Sequence, residues 1–365
     1  MSRATDAPAP APRAAPARST ADALEEVAAI AQRLGVLLAA GVTPERAWAY
    51  VAETADDAEA AARDRSAGGP PVGGGRGMPR AGPSALNPGV VVAQAAAAAG
   101  RADDVSEAIA AVCGGAPRAG AARHRSIAWG LFAAAWAVAV RSGAPLAACL
   151  QRFAAELSHA AALHRELGVA FAGPRSTARL VGALPLVALL FGLGMGFDTP
   201  RVLFATPVGW ACLGAGLALM LASQRWSRRL LARAEPRELV PGLELELMAV
   251  AMASGASVER ARGLVASVVD AYAAFLPVPA READARALDR VLALAARAGV
   301  PTVGLLRAEA QRRRADADAM GRTAAAAVAV RLMLPLAVCV LPAFMLLGVV
   351  PVLVALFSST GVTFG

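Results

Sequence analysis

LVGALPLVALLFGLGMGF, residues Leu180 to Phe197, carries no ionisable side chain. As a helix rising about 1.5 Å per residue it reaches about 27 Å, close to the ~30 Å hydrocarbon core of a bilayer. Val202 to Gln224 repeats the pattern after only Asp198-Thr199-Pro200-Arg201, and so short a link requires two antiparallel spans. A third stretch, Leu332 to Gly365, is also free of ionisable groups and is interrupted by Pro335, Pro342 and Pro351. One tilted span is its simpler reading and a re-entrant hairpin the other.

Around these stretches the chain is mixed. Of 365 residues 57% are apolar and 18% charged, and the mean hydropathy is +0.50, so membrane spans must coexist with substantial water-facing parts. Alanine dominates and alternating β-branched runs are scarce, which favours helix almost throughout. The expected fold is all-α, with two cytoplasmic helical-hairpin bundle domains and three transmembrane helices.

All 36 basic residues are arginine, because lysine is absent. A phosphate-binding loop ending in Gly-Lys-Ser/Thr and a Schiff-base lysine are thereby excluded. The net charge of +8 does not indicate nucleic acid, because Arg175, Arg179, Arg225, Arg228, Arg229 and Arg233 crowd the ends of apolar stretches, as cytoplasmic flanks do. Arg312, Arg313, Arg314, Arg322 and Arg331 flank the last span in the same way, whereas the C-terminal tail has no arginine. Both polar regions are therefore expected in the cytoplasm, with the C-terminus outside a multi-pass cell membrane protein.

The expected organisation is a disordered tail over 1–22, a first cytoplasmic domain over 23–179, a transmembrane hairpin over 180–224, a second and shorter cytoplasmic domain over 225–331, a third span over 332–357 and an external tail over 358–365. The N-terminal Ala/Pro-rich residues lack the apolar core of a signal peptide. Ser66 to Pro88 is Gly/Pro-rich and reads as a flexible loop. Helices are expected at Ala23 to Ala40, from Pro44, at Val90 to Ala99, Val105 to Val112, Ile127 to Arg141, Pro145 to Ala170, Leu239 to Ser254, Val258 to Tyr272, Ala283 to Ala298 and Thr302 to Met320.

Part of the sequence occurs twice. Gly41-Val42-Thr43-Pro44-Glu45-Arg46-Ala47 returns as Gly255-Ala256-Ser257-Val258-Glu259-Arg260-Ala261. Arg141-Ser142-Gly143-Ala144-Pro145 returns as Arg297-Ala298-Gly299-Val300-Pro301, and Leu184-Pro185-Leu186 as Leu334-Pro335-Leu336. The order is the same in both halves, and the second copy is shorter by about the length of Ser66 to Arg123. In each first motif Gly leaves one helix, Thr43 or Ser257 caps the next, and Glu45 or Glu259 meets the dipole of its first turn.

These residues resemble the type II secretion F family, whose members run domain, span, span, domain, span. The first half is similar to TadB of tight-adherence systems through Ser176-Thr177-Ala178-Arg179-Leu180-Val181-Gly182-Ala183-Leu184-Pro185 and Leu203-Phe204-Ala205-Thr206-Pro207-Val208-Gly209. The second is similar to TadC through Arg312-Arg313-Arg314 and Val330-Arg331-Leu332-Met333-Leu334-Pro335-Leu336-Ala337-Val338-Cys339-Val340-Leu341-Pro342-Ala343-Phe344. The likeness covers Leu24 to Phe357. It implies a non-enzymatic inner-membrane platform, a homo-oligomer without cofactor. Its implied partners are a secretion ATPase, pilin or pseudopilin subunits, other inner-membrane assembly proteins and the lipid bilayer. The inserted loop and shortened second domain depart from the family pattern. On this reading the candidate contact or structural positions are Gly41, Glu45, Arg46, Gly143, Pro145, Pro185, Gly255, Glu259, Arg260, Gly299, Pro301 and Pro335.

No enzymatic chemistry emerges. His159 and His164 are five apart, off the i, i+4 spacing of a helical metal pair, and His124 stands alone. Cys113, Cys149, Cys212 and Cys339 form no CxxC motif. Glu282, Asp284, Asp289, Glu309, Asp316 and Asp318 alternate with Arg286, Arg290, Arg312 and Arg314, which reads as a solvated, salt-bridged face. The spans lack the buried acids or bases of a proton relay, leaving a small-solute permease as the alternative to an assembly platform.

Overall fold

The computed structural model describes residues 16–67, 87–115, 121–170, 207–234, 240–275 and 278–350. Among them every regular element is helical and no strand occurs, so the chain is all-α. In order the helices are α1 (Pro16–Ala39), α2 (Pro44–Ala67), α3 (Pro88–Gly100), α4 (Val105–Gly114), α5 (Ala121–Ser142), α6 (Leu146–Ala170), α7 (Pro207–Ala234), α8 (Leu243–Ala253), α9 (Val258–Ala271), α10 (Val278–Ala298) and α11 (Thr302–Arg331). The first expected span, Leu180 to Phe197, lies outside the described residues, as do residues 68–86 of the Gly/Pro loop and everything after 350.

Two compact units divide the chain, residues 1–165 with 237–317 and residues 166–236 with 318–365. The first gathers α1 to α5, α8 to α10 and parts of α6 and α11, so both polar regions of the sequence contribute to one unit and share one apolar core. α5 lies at its centre and packs on α1, α4, α8 and α9. Ala128, Trp129, Phe132, Ala133, Trp136 and Val138 of α5 are all buried. A helix that is apolar nearly all round has to be surrounded. Its rings meet at edge-to-face distances: Trp48 lies 6.0 Å from Phe132, Trp129 5.7 Å from Phe132, and Phe132 6.1 Å from Phe153. Such pairs add about 0.5–1.5 kcal/mol each beyond the area they bury.

Close approaches depend on small residues. A Cβ on Gly130 would fall 2.3 Å from Cγ of Phe275, so the ring rests directly on the α5 backbone. α1 extends N-terminally beyond the Ala23 start read from periodicity, which corrects the expected disordered tail at residues 16–22, because Thr20 and Ala21 are already buried.

The repeat is visible as packing. α1 packs on α2 and α5, and α8 packs on α9 and α10, so the opening helix of each copy contacts both the helix after its first glycine turn and the helix that ends at its second. α3 and α4 pack between α2 and α5. Between α9 and α10 the described residues hold only a single 3₁₀ turn, Ala273–Phe275.

In the second unit α7 packs against the continuation of α11. That continuation runs through Met333–Pro335, a π-helical turn at Leu336–Val340, Leu341–Phe344 and a second π-helical turn at Met345–Val349. Prolines at 335 and 342 cannot donate to a regular α-ladder, and widened turns absorb the mismatch. The buried Ser223 hydroxyl donates to the Pro335 carbonyl at 3.4 Å, supplying a partner from the neighbouring helix. Among the described residues one helix, Thr302–Leu347, is long and apolar enough to cross a membrane by length and composition. Its most apolar 18-residue window has mean hydropathy 2.3 and is only 38% buried within the protein, unlike a core helix.

Candidate partner-contact turns and a buried ion network

The two copies of the first motif build matching turns. Gly41 has φ +86° and Gly255 φ +85°, the left-handed region that L side chains avoid and glycine enters freely. The Gly41 N–H donates to the Leu38 carbonyl at 3.1 Å and the Val42 N–H to the Leu37 carbonyl at 3.0 Å, closing the end of α1. Gly255 N–H donates to the Met252 carbonyl at 3.0 Å. On the far side, the Ser257 hydroxyl accepts from the Arg260 N–H at 3.4 Å, capping α9. A Cβ on either glycine would meet nothing within 4 Å, so backbone conformation, not crowding, demands glycine.

Gly143 and Gly299 form a second matched pair, at φ +70° and +65°. The Gly143 N–H donates to the Val140 carbonyl at 3.2 Å, and the Gly299 N–H to the Ala295 carbonyl at 2.9 Å. Pro145 and Pro301, both exposed, stand just before α6 and α11, where a fixed φ suits a helix start.

The first turns of α2 and α9 present the same charges. Glu45, Arg46, Glu259 and Arg260 are all exposed, and among the described residues none of these side chains is held in an ion pair. The turns thus offer an acid and a base side by side, twice, on rigid helix starts. Pro335 is buried in the second unit and takes part in no such surface. Pro185 lies outside the described residues.

Sequence reasoning missed a second constellation. Arg314 is buried, its side chain 9% exposed, and its Nη1 donates to Glu156 of α6 at 2.6 Å while Nη2 reaches Glu246 of α8 at 3.5 Å. Next to it, Arg313 lies 3.3 Å from Asp284 and donates to the Ala283 carbonyl at 2.6 Å. Asp284, itself buried, accepts from the Glu244 N–H at 3.2 Å, at the positive end of α8. Burial raises the Glu156 carboxyl from its ordinary value, with the Arg314 charge opposing. The solvated face read from the sequence is therefore corrected at Asp284 and Arg314, which are interior. Arg312, with Glu309 at 3.9 Å and Asp316 at 3.8 Å, is exposed as expected. One arginine run spreads over three environments because successive side chains turn by about 100° around a helix. Only the charge alternation was available in the sequence, and it does not reveal which residue faces α6 and α8.

His159 is exposed and His164 buried. Burial, and then the charge of His124, lowers the His164 imidazole to about 4. Burial pushes the Cys113 thiol up to about 12, which leaves it unreactive. Among the described residues no group of three or more His, Cys, Asp or Glu is placed to hold a metal ion. No protein-family model, curated protein or solved structure matches the chain.

Proposed function

We propose that this chain is an inner-membrane platform of a type II secretion or tight-adherence pilus machine, coupling a cytoplasmic ATPase to the assembly of pilin subunits. The observation that carries the reading is the doubled turn: the two sequence copies fold to the same glycine conformation and expose the same Glu-Arg pair. A platform that relays a motor's motion needs rigid cytoplasmic contacts in matched positions, and helix starts locked by left-handed glycines supply them. The apolar reach of Thr302–Leu347 supports the membrane placement. Three spans, cytoplasmic polar regions and an external C-terminus complete the proposal, following the arginine flanks. The chain performs no catalysis of its own in this reading.

Charge reversal tests it. Glu45→Arg and Glu259→Arg replace exposed side chains and should leave protein abundance nearly unchanged, while co-purification of the cognate secretion ATPase and the rate of fibre assembly fall. Normal ATPase capture and normal assembly with both reversals combined would show that the turns are purely structural.

A further inference from the structure

α7 and the continuation of α11 pack antiparallel. Ser223 meets Pro335, and a Cβ on Gly216 would fall 2.4 Å from Cγ of Leu347; numbers falling along α7 therefore meet numbers rising along α11. This register places Arg225, Arg228 and Arg229 of α7 at the same end of the pair as Arg331 of α11. All four are exposed. Neither α7 from Pro207 to Leu230 nor α11 with its continuation from Thr323 to Val350 contains a carboxylate, and among the described residues none of the four is in an ion pair. Arg322, farther along α11, is already engaged by Glu166 at 3.2 Å. Among the described residues the end of the helix pair is thus an unneutralised rim of guanidinium groups.

Directly beyond that rim the surface becomes apolar. Trp226 is 41% exposed among the arginines, and Leu221 and Leu217 of α7, with Met333 and Leu334 of α11, are exposed past it. At the other end Trp210 is 59% exposed, about 24 Å from Trp226 along the helix axis, which places two amphipathic rings near the two faces of a bilayer. Inorganic phosphate or a nucleic acid would satisfy the arginines and leave the apolar flank in water. A ligand that is anionic at one end and apolar along its length satisfies both.

We propose that this rim is a binding site for an anionic glycerophospholipid, its phosphate held by Arg225, Arg228, Arg229 and Arg331 and its acyl chains along the exposed apolar faces of α7 and α11. Arginine suits the role because its planar fork meets phosphate oxygens two at a time. The site would fix the depth of the helix pair in the membrane and make the platform sensitive to lipid charge. The proposal rests on the membrane placement given above.

Tryptophan quenching tests both separately. Trp48, Trp129 and Trp136 are buried in the first unit, so in a Trp210→Phe version of the full chain only Trp226 is open to lipid. The protein is reconstituted in vesicles mixing phosphatidylglycerol and phosphatidylcholine, with bromine on the acyl chains of one lipid or the other at equal mole fraction. Brominated phosphatidylglycerol should quench Trp226 more strongly, with a preference of about fivefold or more at low salt. Arg225→Gln, Arg228→Gln and Arg229→Gln together should abolish that preference without abolishing quenching, and Arg331→Gln should weaken it. Equal quenching by both lipids overturns the lipid site and leaves the membrane placement standing. Absence of quenching by either lipid overturns both. Loss of the preference on adding inorganic phosphate at constant ionic strength would mark a phosphate site and overturn the lipid assignment.

Discussion

Replacing Arg314 by methionine keeps most of its volume and removes its charge, leaving Glu156 and Glu246 without the cation that contacts them both, and only the more distant charges of His159 and Arg152 beside Glu156. The magnitude follows from burial. The two carboxylate side chains are 21% and 12% exposed, so water screens them poorly, and loss of one partner from a buried ion network costs about 3–5 kcal/mol. For a unit of this size that corresponds to a fall in melting midpoint of about 6–20 °C. The loss should shrink on acidification. Burial already raises the Glu156 carboxyl, and without Arg314 it rises further. The folded variant then binds a proton that the unfolded chain releases, so its stability grows as pH falls from 7.5 towards 5.5 relative to the parent. His164 titrates in both proteins and cancels in the difference. The assay is thermal unfolding of the full chain in detergent, followed by tryptophan emission, since Trp48, Trp129 and Trp136 all report on this unit's core. A second variant sharpens the test: with Glu156→Leu and Glu246→Leu added to Arg314→Met, the charges of this triad are gone, the Arg313–Asp284 pair is kept, and most of the lost stability should return. The reasoning is refuted if Arg314→Met melts within about 2 °C of the parent, or if the triple variant is no more stable than the single one.

Further expectations concern local geometry, titration and topology. Gly41→Ala and Gly255→Ala should each cost about 1–2 kcal/mol from the left-handed backbone alone, and asparagine at either position should cost less; equal melting of the alanine and asparagine variants would count against the turn. Gly130→Ala should destabilise by about 1–3 kcal/mol, because Cβ and Cγ of Phe275 stand where the new methyl must go and neither is a mobile side-chain tip. His164, lowered to about 4 from an ordinary 6.5, contributes stability that is complete above pH 6.5 and is lost as pH falls towards 4, about 3 kcal/mol in all; His164→Leu should flatten that part of the pH profile, and an unchanged profile would place the titration elsewhere. Single cysteines at Ala280 and Thr363 in a cysteine-free chain should be respectively closed and open to an impermeant maleimide in intact cells, and labelling at 280 would reverse the topology.

Helix content, the order of helices and the glycine turns at Gly41 and Gly255 were legible in the sequence because they are set locally, whereas the left-handed backbone of Gly143 and Gly299 came from the structure. Alanine-rich segments with periodic apolar positions favour helix wherever they lie, and a glycine between a helix end and a capping Ser or Thr specifies a left-handed turn from a few neighbouring residues. The repeat was legible for the same reason, since Gly41 and Gly255 solve one local problem twice. α5 was legible as a helix but not as the centre of a core: Trp129, Phe132 and Trp136 leave open whether lipid or protein surrounds them, and contacts with α1, α4, α8 and α9 settle that. The tertiary structure alone decided that residues from both polar regions share one core, that Gly130 admits Phe275, and that Arg314 is buried while Arg312 is exposed. The reason is one of range. Backbone conformation depends on a few adjacent residues, whereas the partner of a charged side chain is fixed by helices more than a hundred positions apart in the chain, as Arg314 and Glu156 are, and no pattern within either helix encodes the other's position.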